Sequence, residues 1–334
     1  MAFLQGTGIS LAFADRDILR DIAIYLKSGD KAALCGANGA GKTTLLKILS
    51  GSLAPSGGTL VLEKNATLAY LPQSGIVCAE RSLEAELDSV FDEYRLLFQR
   101  AEALREELAS GTDEARTAKL LAEHDVLADA LENSPYLQRE KEISRVRGGL
   151  GFTEADMARD CAEFSGGWQM RIALAKTLLK KPDILILDEP TNYLDIEARQ
   201  WLLNWLKKFS GALLIVSHDR YFLDMLVGAV YELFAGKLKR YSGNFSAYEK
   251  TRQRELESLV AQYKAQQTEI ERLEKLVERF RYKASKAAFA QEQVKKLEKM
   301  QRIELPAHIK SIHISFPPPP AHGRIVLTAK NLEK

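Results

Sequence analysis

The run LKSGDKAALCGANGAGKTTLLKILSG, residues 26–51, decides the fold. It holds a short apolar strand (31–35), a glycine-rich turn and an amphipathic helix predicted to open near Lys42. Such a strand–loop–helix unit favours an α/β sheet over an all-β sandwich. The turn, GANGAGKTT at 36–44, satisfies G-x-x-x-x-G-K-[ST] between the strand and helix that the pattern requires. Gly36, Gly39 and Gly41 permit backbone conformations that turn successive N–H groups inward around phosphate oxygens. The helix behind them adds the positive end of its dipole. Lys42 is placed to reach β- and γ-phosphates, and the Thr43 hydroxyl to ligate Mg2+.

A second stretch complements the first. ILILDEPTNYLD (184–195) is an apolar strand ending in two carboxylates. Ligands of open α/β sheets bind at the carboxyl ends of the strands, so Asp188 can hold the Mg2+ shell there. Glu189, pointing differently, can orient or deprotonate an attacking water. ALLIVSHDR (212–220) is another apolar run suited to a buried parallel strand. If it neighbours the first, His218 reaches the same sheet edge, where an imidazole can hydrogen-bond a γ-phosphate and change charge near neutral pH.

The 334 residues suggest about two structural units, and 46% hydrophobic residues exclude wholesale disorder. No apolar run reaches the roughly 18–20 residues of a membrane span. The best stretch, 211–236, is broken by His218, Asp219, Arg220 and Asp224. No secretory signal opens the chain, and Cys35, Cys78 and Cys161 form no CxxC pair. A reducing cytoplasm is the expected setting. The first 75 residues read as short β segments plus one helix. Leu83, Leu87, Val90, Tyr94, Leu97, Ala101, Leu104 and Leu108 then follow a heptad seam, broken at Ser110-Gly111-Thr112 and resumed by Leu120, Leu127 and Leu131. That stretch is either an antiparallel helical hairpin or two ordinary core-packing helices. After Tyr241, Leu256, Tyr263, Ile270 and Val277 sit seven apart, with Val294, Leu297 and Met300 beyond a break, which predicts a second helical hairpin with coiled-coil character. It ends at Pro306, before an extended Pro317–Pro320 tether. Charge is segregated: residues 250–302 carry 14 Lys and Arg against 8 Asp and Glu, which suggests an acidic partner.

FSGGWQMRIALAKTLL (164–179) resembles the LSGGQ signature of ATP-binding-cassette (ABC) ATPases. Gln73 in AYLPQSG resembles that family's Q-loop glutamine, Leu194-Asp195 its D-loop, and Phe13 in LAFADRDIL the aromatic that stacks on adenine. The resemblance implies an α/β P-loop NTPase cassette with a helical subdomain, and Mg2+-dependent hydrolysis of ATP. It implies ATP binding by Phe13, Gly36, Asn38, Gly39, Ala40, Gly41, Lys42, Thr43 and Thr44, and metal binding by Thr43, Gln73 and Asp188. The catalytic residues would be Glu189, His218 and Gln73. Ser165, Gly166 and Gly167 would contact a γ-phosphate held by a second cassette, with Asp195 in the D-loop beside them.

Finer details resemble the ABC-F class. Trp168 replaces the usual signature glutamine, TNYLD (191–195) is similar to that class's TNHLD, and no transmembrane domain is attached. ERFRYKASKAAFAQEQVKKLEK (278–299) is similar to the tRNA-contacting tip of its linker, while Phe164 and Tyr193 depart from the pattern. Arg279, Arg281, Lys283, Lys286 and Lys295, interleaved with Tyr282, suit phosphate contacts and base stacking. The expected domains are a cassette at 1–248 (helical subdomain and short arm about 74–163), a basic hairpin linker at 249–305, and a tether at 306–334 that starts a second cassette absent from this chain. The chain alone would then be weakly active. The implied partner is the ribosome, through rRNA and tRNA, for translational modulation or antibiotic protection. Rival readings are a transporter ATPase subunit, which has no use for a basic hairpin, and a DNA-repair ATPase, whose coil interrupts the cassette for hundreds of residues rather than the 120 between Thr44 and Phe164.

Overall fold

The computed structural model describes residues 2–13, 16–74, 80–110, 114–132, 136–280, 287–300 and 330. The chain opens with two antiparallel strands, β1 (Phe3–Phe13) and β2 (Arg16–Lys27), followed by β3 (Lys31–Cys35), α1 (Lys42–Leu49), β4 (Gly57–Leu62) and β5 (Leu68–Leu71). A helical region comes next: α2 (Leu83–Asp88), α3 (Asp92–Ala109), α4 (Glu114–Glu132), α5 (Arg139–Gly149) and α6 (Gly166–Leu179). The α/β pattern then resumes with β6 (Ile184–Asp188), α7 (Ile196–Lys208), β7 (Ala212–Val216), α8 (Arg220–Leu226), β8 (Ala229–Phe234) and β9 (Lys237–Ser242). Two further helices follow, α9 (Phe245–Phe280) and α10 (Ala287–Lys299). The chain divides into two units, Met1–Lys250 and Thr251–Lys334.

In the first unit, six strands run in the order β5-β6-β7-β3-β8-β9, and a separate three-stranded sheet has the order β2-β1-β4. All pairs of the larger sheet are parallel except β8–β9. β6 and β7 are apolar almost throughout because they are covered on both faces. Leu185, Leu187, Leu213 and Ile215 pack with α6 and α7. Ile184, Ile186, Leu214 and Val216 face the opposite way, toward α1 and the small sheet. On α1, Leu45, Leu46, Ile48 and Leu49 are all buried, and each contributes about 1.5–3 kcal/mol. That burial pins the helix behind the glycine turn. This is the α/β architecture with a helical subdomain that the sequence implied.

Two elements differ from expectation. β1 and β2 are 11 and 12 residues long rather than short segments. Their pairing shifts register between Gly6 and Ile9 and again toward Leu11, with Gly8 and Asp21 at positive φ, so apolar alternation breaks within continuous strands. The seam from Leu83 to Leu108 does not run along one helix. A 3-10 turn at Ser89–Phe91 separates α2 from α3. Leu83, Leu87 and Phe91 are wholly buried in the main core, and the hairpin proper is α3 packed on α4. In the second unit, Ile270 and Leu273 of α9 and Gln293 of α10 are buried. Among the described residues no helix is long and apolar enough to cross a membrane.

Candidate nucleotide-phosphate site

Strand order builds the site. β6, β7 and β3 are adjacent and parallel, so the glycine turn after β3, the carboxylates ending β6 and the histidine after β7 emerge at one edge. There they line a cleft of about 430 Å3 formed by Ile18, Asn38, Gly39, Gly41, Lys42, Thr43, Thr44, Gln73, Asp188, Glu189, Val216 and His218. Glycine is required at both ends of the turn. At Gly36 a Cβ would lie 2.5 Å from the Leu233 carbonyl oxygen, and at Gly41 (φ 101°) 2.7 Å from Ile18 Cγ2. Gly41 caps α1 without a side chain, leaving the helix's first amides directed at the cleft. Lys42 Nζ donates to the carbonyls of Gly36 (2.9 Å) and Ala37 (3.1 Å), so its ammonium lies along the loop.

Thr43 Oγ1 donates to Asp188 Oδ2 at 2.8 Å. Burial raises the pKa of Asp188, opposed by that hydrogen bond and by the charges of Lys42 and Lys47. A hydroxyl and a carboxylate meeting beside the phosphate turn are hard oxygen donors of the kind Mg2+ takes. Among the described residues no group of three or more His, Cys, Asp or Glu could cage a metal, so an ion here would complete its shell from water and phosphate. Glu189 adopts a left-handed backbone (φ 54°) while its N–H donates to Val216 O at 2.8 Å. The turn sends its side chain toward His218. Oε2 accepts from the His218 backbone N–H at 3.3 Å, and Oε1 lies 3.3 Å from Nε2 of the exposed imidazole. Burial raises the Glu189 carboxyl above its ordinary range, and the histidine opposes that shift. A buried carboxylate of raised proton affinity suits a general base.

The signature residues do not join this cleft. Ser165 is the N-cap of α6, exposed, with no capping bond from its side chain. Gly166 is exposed, and Gly167 faces Tyr193, where a Cβ would lie 3.2 Å from the ring's Cδ1. Asp195 caps α7 by accepting from Ala198 N at 2.9 Å and pairs with Arg171 at 3.0 Å, and these partners lower its pKa. Arg171 also donates to the carbonyls of Tyr193 (2.7 Å) and Leu150 (3.2 Å) and stacks on Trp168. Arg199 donates to Leu194 O at 3.3 Å and pairs with Asp219 at 3.1 Å. Sequence reasoning missed Arg171, Arg199, Ile18 and Val216. Val216 was signalled by its place at the end of the apolar run before His218; an arginine in a helix reads as solvent-facing, whereas the Arg171 side chain is only 11% exposed. Phe13 closes β1. Arg279 and Lys295 are exposed on α9 and α10, and Arg281, Tyr282, Lys283 and Lys286 lie outside the described residues.

A phosphate turn and two strand-end carboxylates on a mixed sheet flanked by helices define a P-loop nucleotide-binding cassette. The ABC transporter family profile matches residues 19–192, and a further profile described as ABC transporter matches 231–316. The chain belongs to this family of ATP-binding, ATP-hydrolysing cassettes. It is 33% identical over 334 residues to "Uncharacterized ABC transporter ATP-binding protein YfmM" of Bacillus subtilis, covering 99% of this chain and 64% of the relative. It is 35% identical over 328 residues to "ABC transporter F family member 2" of Arabidopsis thaliana, covering 97% of this chain and 48% of that protein. The chain thus spans about half to two thirds of these relatives. A solved ATP binding subunit of an ABC transporter shares the fold, with TM-score 0.54 and 20% identity over 72% of this chain and 90% of its own.

Proposed function

We propose that this chain is the ATPase cassette and linker of an ABC-F-class protein. In this reading, ATP held between two closed cassettes brings the protein onto the ribosome, where the basic helices meet tRNA near the peptidyl-transferase centre. The outcome is modulation of translation or antibiotic protection. The observation that carries the reading is the extent of the match to an F family member: it covers 97% of the chain, α9 and α10 included, rather than stopping at the cassette.

Chemically, the amides of the glycine turn bind the phosphate tail, and Lys42 exchanges the Gly36 and Ala37 carbonyls for phosphate oxygens. Thr43, Asp188 and Gln73 would hold Mg2+, which supplies charge neutralisation on the phosphates. Glu189 orients a water and takes its proton as the oxygen attacks the γ-phosphorus and the bond to ADP breaks. His218 keeps that carboxylate aimed and donates to the γ-phosphate. The exposed N-terminus of α6 presents Ser165 and Gly167 to a γ-phosphate bound by a second cassette, so closure depends on ATP and hydrolysis reverses it.

Ribosome co-sedimentation of the Glu189→Gln protein, with and without ATP, tests this. The expected result is pelleting that requires ATP and is lost when Arg281, Lys283 and Lys286 are neutralised together. Intact ATP binding without pelleting under any nucleotide would overturn the ribosomal reading.

A further inference from the structure

We propose that Arg199 is a positioning residue of hydrolysis: it holds the turn that carries His218 and ties it to the turn that carries Asp195. This rests on the reading of Glu189 and His218 as the hydrolytic pair.

Two turns leave the sheet side by side, 189–195 after β6 and 217–219 after β7. The strands end paired at Asp188 and Val216, and past that point three ties keep the turns together. Glu189 N–H donates to Val216 O at 2.8 Å, and the hydroxyls of Thr191 and Ser217 meet at 3.0 Å. The third tie is Arg199, at the fourth position of α7. One terminal nitrogen of its guanidinium donates to Leu194 O at 3.3 Å, the other to Asp219 Oδ2 at 3.1 Å. Of the three ties, only this one is charged.

His218 depends on that tie. Its side chain is 71% exposed, and among the described residues its imidazole pairs only with Glu189. A ring so exposed takes its direction from the backbone beneath it. That backbone is fixed by the next residue. Asp219 N–H donates to Ser217 Oγ at 3.1 Å, Asp219 Oδ1 accepts from Phe222 N at 3.0 Å, and Oδ2 takes Arg199. The choice of arginine is informative. Its Nε is buried and has no acceptor among the described residues, a cost that a lysine paired with Asp219 would not carry. What the planar fork adds is a second, separately directed donor, and that donor goes to Leu194. A shift of the Leu194–Asp195 turn is thereby passed to His218, and through it to the Glu189 carboxylate 3.3 Å away.

The test compares the whole chain with Arg199→Lys and Asp219→Asn, by hydrogen–deuterium exchange and by ATP turnover at protein concentrations that let cassettes pair. Arg199→Lys is expected to speed amide exchange about tenfold in both 191–196 and 217–222. Asp219→Asn, which keeps an acceptor for Phe222 N, should do so in 217–222 alone. Arg199→Lys should also lower turnover about 10- to 100-fold with ATP affinity within a few-fold of the parent, since a small misplacement of a reacting group is that costly. In a His218→Gln background it should cost nothing further, because it acts through that ring. Losses that multiply in the double variant would overturn the proposal. So would parent-like exchange in 217–222, or faster exchange across the whole cassette, the mark of a general loss of stability. If Glu189→Gln leaves the parent's turnover unchanged, the hydrolytic pair fails first and the proposal falls with it.

Discussion

Two helices of the cassette begin without a side-chain cap, and their surroundings differ. α1 starts at a left-handed Gly41 and opens into a cleft that already holds an ammonium, a hydroxyl, two carboxylates and an imidazole. α6 starts at an exposed Ser165, and what surrounds it is support rather than chemistry. Arg171 ties that helix to Leu150, Tyr193 and Asp195, fixing its direction while its first residues stay exposed. One end carries what a reaction needs; the other carries only aim. A helix end held rigid yet facing none of its own chain's phosphate-site residues suits an anion held by another body, which is why the proposed function pairs two cassettes.

The largest break in that symmetry should come from Glu189→Gln. Removing the proposed base should lower steady-state ATP turnover by about 10²–10⁴-fold while nucleotide affinity, from direct titration, stays within a few-fold. A matching loss of affinity would mean that the carboxylate builds the cleft rather than acting in it. At the other end, Arg171→Ala should cost about 2–3 kcal/mol in urea unfolding, because two carbonyls and a carboxylate lose a charged donor, and ATP affinity should not change. An affinity that fell in step with stability would erase the division between chemistry and support.

The smallest effects concern pH, and the two ends should move in opposite senses. Burial raises the Glu189 pKa from its ordinary 4.5, so its folded form binds a proton more readily than its unfolded form. Its contribution to stability therefore declines as pH rises through that interval, and Glu189→Gln should be more stable than the parent at pH 7–8. That gap should close as pH falls below 4.5. Asp195 is depressed from 3.8 by Ala198 and Arg171, so its contribution is present above that value and is lost as pH falls through the folded pKa. Asp195→Asn should be less stable than the parent at neutral pH and converge with it in acid. Unfolding midpoints measured across pH for both variants provide the check, and gaps of the same sign would contradict the contrast.

The phosphate turn, its helix and the strands before Glu189 and His218 were legible because each is local: a strand of four or five residues followed by its functional group. What escaped needed partners distant in sequence. The β1–β2 pair looked short because Gly8 and Asp21 shift the side-chain alternation without ending the strands. The seam from Leu83 to Leu108 looked like one helix because apolar spacing of three and four survives a 3-10 turn when Leu87 and Phe91 face the same core. Arg171 was invisible because its acceptors are carbonyls of Tyr193 and Leu150, which sequence does not display.

Position 189 is both the last rung of the sheet, through its bond to Val216, and the first residue of the turn toward His218. A left-handed backbone is tolerated by unbranched side chains at modest cost and strongly resisted by Val, Ile or Thr. The site can therefore exchange its charge, as Gln does, more cheaply than its shape. In an evolving lineage, loss of hydrolysis at this position would run through unbranched polar residues, leaving cassettes that still bind nucleotide and no longer turn it over.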